Sequence, residues 1–371
     1  KTFSTDGHWD ERFSNHDDPK PFGPASVGID FTFHNTENVY GIPEHASSFS
    51  LKTTVGKTDP YRLYNLDVFE YELDQTMALY GSVPFMLAQR KDGKTVGLFF
   101  LNASEMWIDI QHFPELSIPK VETHWFSESG VLDFFVLTGP SPKDVMSQYA
   151  KLTGLPQLPP TFSIAYHQCR WNYRDQDDVA TVDSKFDEND IPYDVIWLDI
   201  EHTDGKRYFT WDVTKFPDST KMIDSIAAKG RKMVTIVDPH IKQDSHYRLY
   251  DSASSGDLLV KNADSTSEFN GSCWPGPSVY PDFSSPRVRQ WWADQFQLNK
   301  YQGSTLDLFT WNDMNEPSVF NFPEVTMPKD ARHNGGSCGS DIALSSLPYS
   351  PRSTSPSSSP LCKDIEVLGE K

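Results

Sequence analysis

The fold of this chain is indicated most directly by residues 305–316, which read TLDLFTWNDMNE. Over Leu306–Thr310 apolar and polar side chains alternate, which predicts a strand that enters a core. The six residues from Trp311 to Glu316 include two carboxylates and two amides, polar groups that are costly to bury without partners. At the mouth of a barrel such groups have a use, because carboxylates and amides hold sugar hydroxyls while an indole stacks on the apolar face of a pyranose. The stretch therefore predicts a strand whose end carries a binding site.

Three further strands are predicted before this one, at Phe162–His167, Tyr193–Ile200 and Met233–Asp238. Helical patterns separate the four strands, for example at Asp178–Phe186. Repeated strand–helix units imply parallel strands joined by right-handed crossovers, either in a barrel or in an open sheet.

Polar residues stand at the C-terminal end of each of the four predicted strands. They are His167–Arg170, Asp199–Glu201, Asp238–His240 and Asp313–Glu316. In a β/α-barrel this end of the strands forms the active face. One polar strand end is explained by contact with water, but four ends with acids, His or Arg together indicate a functional site.

The first 140 residues follow a different pattern. Short segments of alternating apolar residues, such as Ser26–Phe33 and Thr95–Leu101, are separated by turn residues and predict an antiparallel β-sandwich. Ser141 and Pro142 then predict the start of a helix, which a proline-rich linker follows. The predicted organisation is a sandwich over residues 1–140, the helix and linker over 141–160, and an α/β domain over 161–336.

Composition limits the classes of partner. The 371 residues carry a net charge of −19, which argues against nucleic acid because phosphate neutralisation requires Lys and Arg. No segment approaches the roughly 18 apolar residues that a membrane span requires. The four cysteines form no C-x-x-C pair, and neither a metal site nor a cofactor is predicted.

Several motifs resemble those of glycoside hydrolase family 31, a family of retaining α-glucosidases. The hexapeptide WNDMNE at Trp311–Glu316 resembles the nucleophile signature of that family. Other motifs resemble its glucosidase II members, the catalytic α subunits of the endoplasmic reticulum, and the resemblance implies the first half of a (β/α)8 TIM-type barrel. These motifs are YGIPEH (40–45), YRLYNLDVF (61–69), ALYGSVP (78–84), IWLDIE (196–201), VDPHI (237–241) and CWPG (273–276).

The resemblance also implies roles for individual residues. Asp313 matches the nucleophile of the family, and Asp199 matches the residue that holds hydroxyls of the glucose in the −1 subsite. Trp274 and Trp311 match the walls of that subsite. The other matches are the lining positions Ile200, Val237, Met314 and Phe320, and Asp67 and Phe69 in a loop of the sandwich that reaches over the +1 subsite.

The function implied is a retaining α-glucosidase that trims terminal α-linked glucose from oligosaccharides in N-glycan processing. By the same resemblance the substrate is an oligosaccharide, a regulatory beta subunit is a partner, and the compartment is the lumen of the endoplasmic reticulum. A retaining glycosidase needs a nucleophilic carboxylate and a carboxylic acid ~5–5.5 Å from it. Asp313 fits the first role. Glu316 is interpreted as a loop anchor, because the two acids must flank the sugar from separate elements.

The resemblance runs from about residue 8 to residue 336, and residues 337–371 do not share it. Their Ser/Pro-rich composition predicts disorder. Four of eight barrel strands are recognised and the general acid/base aspartate is not, so the chain is expected to be incomplete and inactive by itself. A shifted reading frame, a retained intron and alternative splicing each account for the change in sequence.

Two other functions stay open at this point. One is a catalytically inactive carbohydrate-binding or regulatory fragment that keeps Asp199, Trp274 and Trp311. The other is a family member with a different substrate, such as an α-xylosidase. Hydrolysis of an aryl α-glucoside compared with an aryl α-xyloside distinguishes the second from a glucosidase.

Overall fold

The computed structural model describes residues 26–68, 70–328 and 331–332, together with the backbone of strands 9–13 and 16–20. The chain divides into two compact units, one ending at Leu155 and the other beginning at Pro156. The tail predicted from residue 337 lies outside the described residues. The limits predicted for the domains stay predictions.

The described part of the first unit contains ten strands and one helix. β1 and β2 pair with each other in a hairpin, and the other strands form two antiparallel sheets in the orders β3-β9-β8-β5 and β10-β7-β6-β4. The strands are β1 (Trp9–Phe13), β2 (His16–Lys20), β3 (Val27–His34), β4 (Thr36–Gly41), β5 (Tyr61–Leu63), β6 (Phe85–Arg90), β7 (Thr95–Phe100), β8 (Met106–Phe113), β9 (Lys120–Ser127) and β10 (Phe134–Leu137).

The two four-stranded sheets share one apolar core. Trp125 and Ile108 from one sheet and Met86 and Phe100 from the other belong to the same buried cluster. The antiparallel sandwich predicted from the alternating apolar residues is therefore confirmed.

Helix α1 (Pro142–Thr153) begins where the sequence predicts it. The backbone N–H of Asp144 donates to Ser141 Oγ at 3.2 Å, and the backbone N–H of Ser141 donates to Asp144 Oδ2 at 3.0 Å. This reciprocal capping box satisfies two amide groups at the helix start. Gly154, in a left-handed conformation at φ 91°, ends the helix.

Gly97 of β7 allows α1 to lie close to the sheet. A Cβ atom at this position would stand 2.5 Å from Val145 Cγ1, and Val145 is fully buried. Because a contact this short forces neighbours to move, Gly97→Ala is expected to lower the free energy of unfolding by about 1–3 kcal/mol. Urea unfolding measures the change. The same substitution is also made in a Val145→Ala variant. If Gly97→Ala lowers the free energy of unfolding there as much as in the unaltered chain, the Val145 contact is not the cause.

The second unit contains a parallel sheet in the order β11-β12-β13-β17 and a small antiparallel sheet in the order β14-β16-β15. Its strands are β11 (His167–Gln168), β12 (Val195–Leu198), β13 (Lys232–Val237), β14 (Ile241–Lys242), β15 (Gly271–Cys273), β16 (Gly276–Val279) and β17 (Leu308–Asn312). Its helices are α2 (Gln176–Glu188), α3 (Ser219–Ala227), α4 (Arg248–Ser255) and α5 (Pro286–Gln295), with short 3-10 turns at Thr161–Ile164, Ile200–His202 and Pro323–Val325.

Burial differs between the central and outer strands of the parallel sheet. In β13 every residue from Met233 to Val237 is buried, which is typical of a parallel strand covered on both faces. In β17 the side chains are half-buried or exposed. Among the described strands, β11 and β17 are the outermost strands of this sheet.

Two predicted strands differ from the structure. The segment predicted as strand Phe162–His167 forms a 3-10 turn first, because the amide and hydroxyl of Ser163 both donate to the Pro160 carbonyl. The last strand begins at Leu308, two residues later than predicted, because the amide of Asp307 donates to Thr305 Oγ1 in a turn. Helix α4 and the antiparallel sheet were not predicted.

Candidate active site

Three aspartates follow the central and final strands of the parallel sheet. Asp199 comes directly after β12, Asp238 after β13 and Asp313 after β17. Because these strands are parallel, the three residues lie at the same edge of the sheet. Val237 pairs with Asn312, so continuing the register by one residue brings Asp238 opposite Asp313. Neighbouring strands are about 4.8 Å apart, which places these two backbones side by side.

Asp199 is half-buried, and its Oδ1 accepts the backbone N–H of Ile200 at 2.8 Å. Burial raises the pKa of this carboxyl, the Ile200 hydrogen bond opposes the rise, and the negative charges of Glu201 and Asp313 add to it. Asp199 and Asp313 follow β12 and β17, the two strands that flank β13, so both carboxylates lie at the C-terminal end of the same three neighbouring strands. The structure thus brings the predicted nucleophile and the predicted hydroxyl-binding acid together.

The chain turns sharply after Asp313. Met314 has a φ of 61°, in the left-handed region that costs a non-glycine residue on the order of 1 kcal/mol or more. Met314 is buried and Asp313 is half-buried. Backbone strain of this kind is concentrated at functional sites, where the surrounding contacts hold it in place.

The loop after Asp313 is tied to the hairpin that carries Trp274. The amide of Phe320 donates to the Ser272 carbonyl at 2.8 Å, and the amide of Ser272 donates to Asn321 Oδ1 at 2.8 Å. Trp274 stands at the tip of this hairpin, between β15 and β16, and its ring meets the Phe320 ring edge-on at 4.8 Å. About a third of the Trp274 surface is exposed, at 36%. A partly exposed indole held by its neighbours is a suitable surface for a sugar face.

Trp311 belongs to β17 and is half-buried. Its ring lies 5.2 Å from the Trp197 ring, and the Trp197 indole N–H donates to His167 Nδ1 at 2.9 Å. Residues of the two strands β11 and β12 therefore hold the orientation of Trp311.

The remaining predicted site residues have different settings. Ile200 and Val237 are buried in the core of the second unit, directly beside the strand ends. Asp67 is half-buried in the loop after β5 of the first unit, between the buried residues Leu66 and Val68. Phe69 lies outside the described residues. The roles assigned to Asp67 and Phe69 stay predictions.

Trp171 was not among the predicted site residues. Its indole N–H donates to Glu201 Oε1 at 2.8 Å, and its ring lies 6.2 Å from the Trp274 ring. Trp171 comes directly after the polar segment His167–Arg170, but it is not polar, and so the pattern of polar strand ends did not include it.

Asp238 was recognised only as part of a polar strand end, without a role of its own. It is fully buried, and the hydroxyl of Tyr208 donates to its Oδ2. Sequence pattern gives no signal for this contact, because Tyr208 lies 30 residues away.

The arrangement suits carboxylate chemistry on a sugar. Across the described ranges, no group of three or more His, Cys, Asp or Glu side chains is arranged to hold a metal ion. Helices in the same part of the chain are all too short or too polar to cross a membrane. Carboxylates beside exposed indoles are the groups that bind hydroxyls and pyranose faces.

Family comparisons agree with this geometry. The model of the glycosyl hydrolases family 31 TIM-barrel domain matches residues 156–352. The model of the glycosyl hydrolase 31 N-terminal galactose mutarotase-like domain matches residues 2–109. The first half of a (β/α)8 barrel, which the resemblance implied, is thereby confirmed.

Relatives with high identity cover most of this chain. Neutral alpha-glucosidase AB of Dictyostelium discoideum is 58% identical over 336 residues, which are 90% of this chain and 35% of the relative. Neutral alpha-glucosidase AB of Homo sapiens is 54% identical and covers 89% of this chain, and 36% of its own length is matched. A probable glucan 1,3-alpha-glucosidase of Arabidopsis thaliana is 55% identical, over 89% of this chain and 37% of the relative.

Solved structures give the same result. The ER glucosidase II complex of catalytic subunit and regulatory-subunit binding domain matches with a TM-score of 0.82 and 52% identity, covering 88% of this chain and 37% of that one. The chain thus spans little more than a third of the length of the relatives that it matches. It belongs to glycosyl hydrolase family 31.

Proposed function

We propose that the site at the strand ends hydrolyses terminal α-linked glucose of oligosaccharides with retention of configuration, as a glucosidase II-like enzyme. The observation that carries the proposal is the position of Asp313 and Asp199 at the C-terminal end of the parallel sheet, after the two strands that flank β13. The partly exposed ring of Trp274, tied to the loop after Asp313, supports it.

In this reaction the Asp313 carboxylate attacks the anomeric carbon and forms a glycosyl ester. A carboxylic acid on the other side of the sugar protonates the departing oxygen, and water then hydrolyses the ester. Asp199 holds hydroxyls of the glucose through charge-assisted hydrogen bonds, which contribute about 1.5–3 kcal/mol each. Trp274 and Trp311 cover the apolar face of the ring, while Ile200, Val237, Met314 and Phe320 line the subsite.

The finer substrate is proposed from the relatives. Solved structures of the glucosidase II alpha subunit carry alpha3-Glc2 or Glc1Man2, at 51% identity to this chain. They support α-glucose on a mannose-containing oligosaccharide as the substrate, and hence N-glycan processing in the lumen of the endoplasmic reticulum. The complex with a regulatory-subunit binding domain supports a beta subunit as partner. Asp67 and Phe69 are proposed to contact the sugar that follows the cleavage site.

We also propose that the chain of 371 residues does not turn over substrate by itself. The sandwich is assigned to residues 1–140, the helix and linker to 141–160, the catalytic half-barrel to 161–336 and a separate tail to 337–371. In the described part of the half-barrel, Asp199 and Asp238 lie at the ends of other strands, and Glu316 lies three residues after Asp313 in the same loop. By itself the chain is then a sugar-binding fragment.

A chimera tests the proposed activity. Residues 9–336 of this chain replace the matching segment of the Dictyostelium relative, which is 58% identical. The chimera is expected to hydrolyse an aryl α-glucoside much faster than an aryl α-xyloside. A preference for the xyloside would refute glucose specificity, and a folded chimera without activity on either would refute the catalytic role of this segment.

Trp274→Ala in the chimera is expected to weaken binding of the glucoside by about 2- to 13-fold, because aromatic contacts of this kind contribute about 0.5–1.5 kcal/mol. The change should raise KM more than it lowers kcat. Phe49→Ala is the control, since Phe49 is 84% exposed on the first unit and is assigned no role in the site. Equal effects of the two substitutions on KM would remove Trp274 from the sugar wall.

A further inference from the structure

Asp238 is the buried acid at the centre of the strand-end site. Its side chain is fully buried, and its Oδ2 accepts the hydroxyl proton of Tyr208. The Tyr208 hydroxyl is also 3.0 Å from His240 Nε2, and His240 is equally buried. Among the described residues, Asp238 Oδ1 has no hydrogen-bond partner. Because Oδ2 faces Tyr208 and His240, Oδ1 faces away from them.

The charges around Asp238 disfavour its ionised form. Burial raises its pKa to about 8; the Tyr208 hydrogen bond opposes this rise, and the negative charges of Asp313, Asp199 and Glu316 add to it. In the described part of the chain, no Lys or Arg forms an ion pair with Asp238, and His240 Nε2 is 3.5 Å from Oδ2. Burial lowers the pKa of His240 to about 3, so this imidazole is neutral and supplies no positive charge. An unpaired buried carboxylate is more costly than its neutral form.

The hydrogen-bond directions place the acid proton. Tyr208 has one hydroxyl hydrogen, and it is donated to Asp238 Oδ2. The N–H on His240 Nε2 then donates to the Tyr208 oxygen. With Oδ2 already accepting, the proton of a neutral Asp238 resides on Oδ1, the atom that faces away from Tyr208 and His240. Val237 pairs with Asn312 in the neighbouring strand β17, so the residues that follow them, Asp238 and Asp313, lie opposite each other.

We propose that Asp238 is a positioning residue: a neutral carboxylic acid that holds the hydroxyl of Tyr208 and adds no negative charge beside the Asp313 and Asp199 carboxylates. This inference rests on the proposed function only for its kinetic consequence. A neutral Asp238 keeps one negative charge out of the cluster, so Asp313 stays ionised and oriented for attack. Two groups whose environments drive them to opposite protonation states are a common device of acid–base sites.

Infrared spectroscopy of the 371-residue chain tests the protonation state directly. At pH 6 the spectrum is expected to contain the carbonyl band of a buried carboxylic acid, absent from Asp238→Asn and lost as the pH rises through about 8. Asp183→Asn is the matched control. Burial acts to raise the pKa of Asp183, but hydrogen bonds from Lys229, Tyr193 and Arg231 outweigh it and hold the pKa below its ordinary value. The band should therefore persist in this variant, and identical spectra of Asp238→Asn and the unaltered chain would overturn the proposal.

Kinetics of the chimera test the positioning role. Asp238→Asn keeps a neutral donor and the acceptor for Tyr208, so its kcat/KM at pH 6 is expected within about threefold of the unaltered chimera. Asp238→Leu removes both, and a loss of about 10- to 100-fold is expected because a buried hydroxyl is left without its partner.

As the pH rises past about 8, kcat/KM should fall in the unaltered chimera and stay level in Asp238→Asn. An Asn variant as poor as the Leu variant would show that the ionised form is required. A chimera that is inactive in every form contradicts the proposed function, while the infrared band still decides the state of Asp238.

Discussion

Replacing Asp313 with asparagine in the chimera is expected to lower kcat by about 10⁴- to 10⁶-fold, the range typical for loss of a catalytic residue that acts as part of a unit. The physical reason is that a neutral amide cannot form the glycosyl ester, although it keeps the size and shape of the carboxylate. Binding of the substrate should be nearly unchanged, because Asp199 and the aromatic walls are intact. Stopped assays with an aryl α-glucoside measure kcat, and calorimetry with glucose measures binding.

Asp307→Asn provides the matched control for this substitution. Asp307 is exposed in the turn before β17, at the opposite end of the same strand from Asp313. Its replacement should leave kcat unchanged within about twofold, since exposed substitutions away from special features have small effects. Near-normal turnover in Asp313→Asn would remove Asp313 from the nucleophile role.

The parts of the site that could be predicted are those that depend on strand ends. Asp199 and Asp313 both follow apolar strands, and parallel strands bring their C-terminal ends to one edge. Periodicity alone therefore grouped these residues, and the family resemblance assigned their roles. The roles themselves stay predictions, because grouping at an edge does not determine which acid attacks.

The parts that could not be predicted depend on contacts between distant residues. The hydrogen bonds that tie Ser272 to Phe320 and Asn321 join segments about 50 residues apart, and no local pattern reports them. The link from Tyr208 to Asp238 is of the same kind. Local turn chemistry also changed the expected boundaries, as at Ser163, where a hydroxyl bond to Pro160 favours a turn over a strand.

The second large effect concerns the chain of 371 residues by itself, which is expected to show no appreciable α-glucosidase activity. Asp199 is assigned to hydroxyl binding, Asp238 is fully buried, and Glu316 follows Asp313 in the same loop, so none of the three is assigned as the acid that flanks the sugar opposite Asp313. Loss of general acid assistance lowers rates by about 10²–10⁴-fold. The edge strand β17, where Phe309 is 37% exposed, should also favour association through unpaired backbone groups.

This expectation is tested with monodisperse protein, because aggregated chains would be inactive for another reason. Light scattering selects the monodisperse fraction, and hydrolysis of an activated aryl α-glucoside is compared with that of the chimera at equal concentration. Binding of glucose to the same fraction is measured as well. If Asp199→Ala loses this binding and Asp313→Asn keeps it, the chain has an intact sugar site without turnover. Robust hydrolysis that Asp313→Asn abolishes would contradict the expectation. It would mean that one of the described acids serves as the proton donor, and Glu316→Gln, three residues along the same loop, is then the first variant to examine.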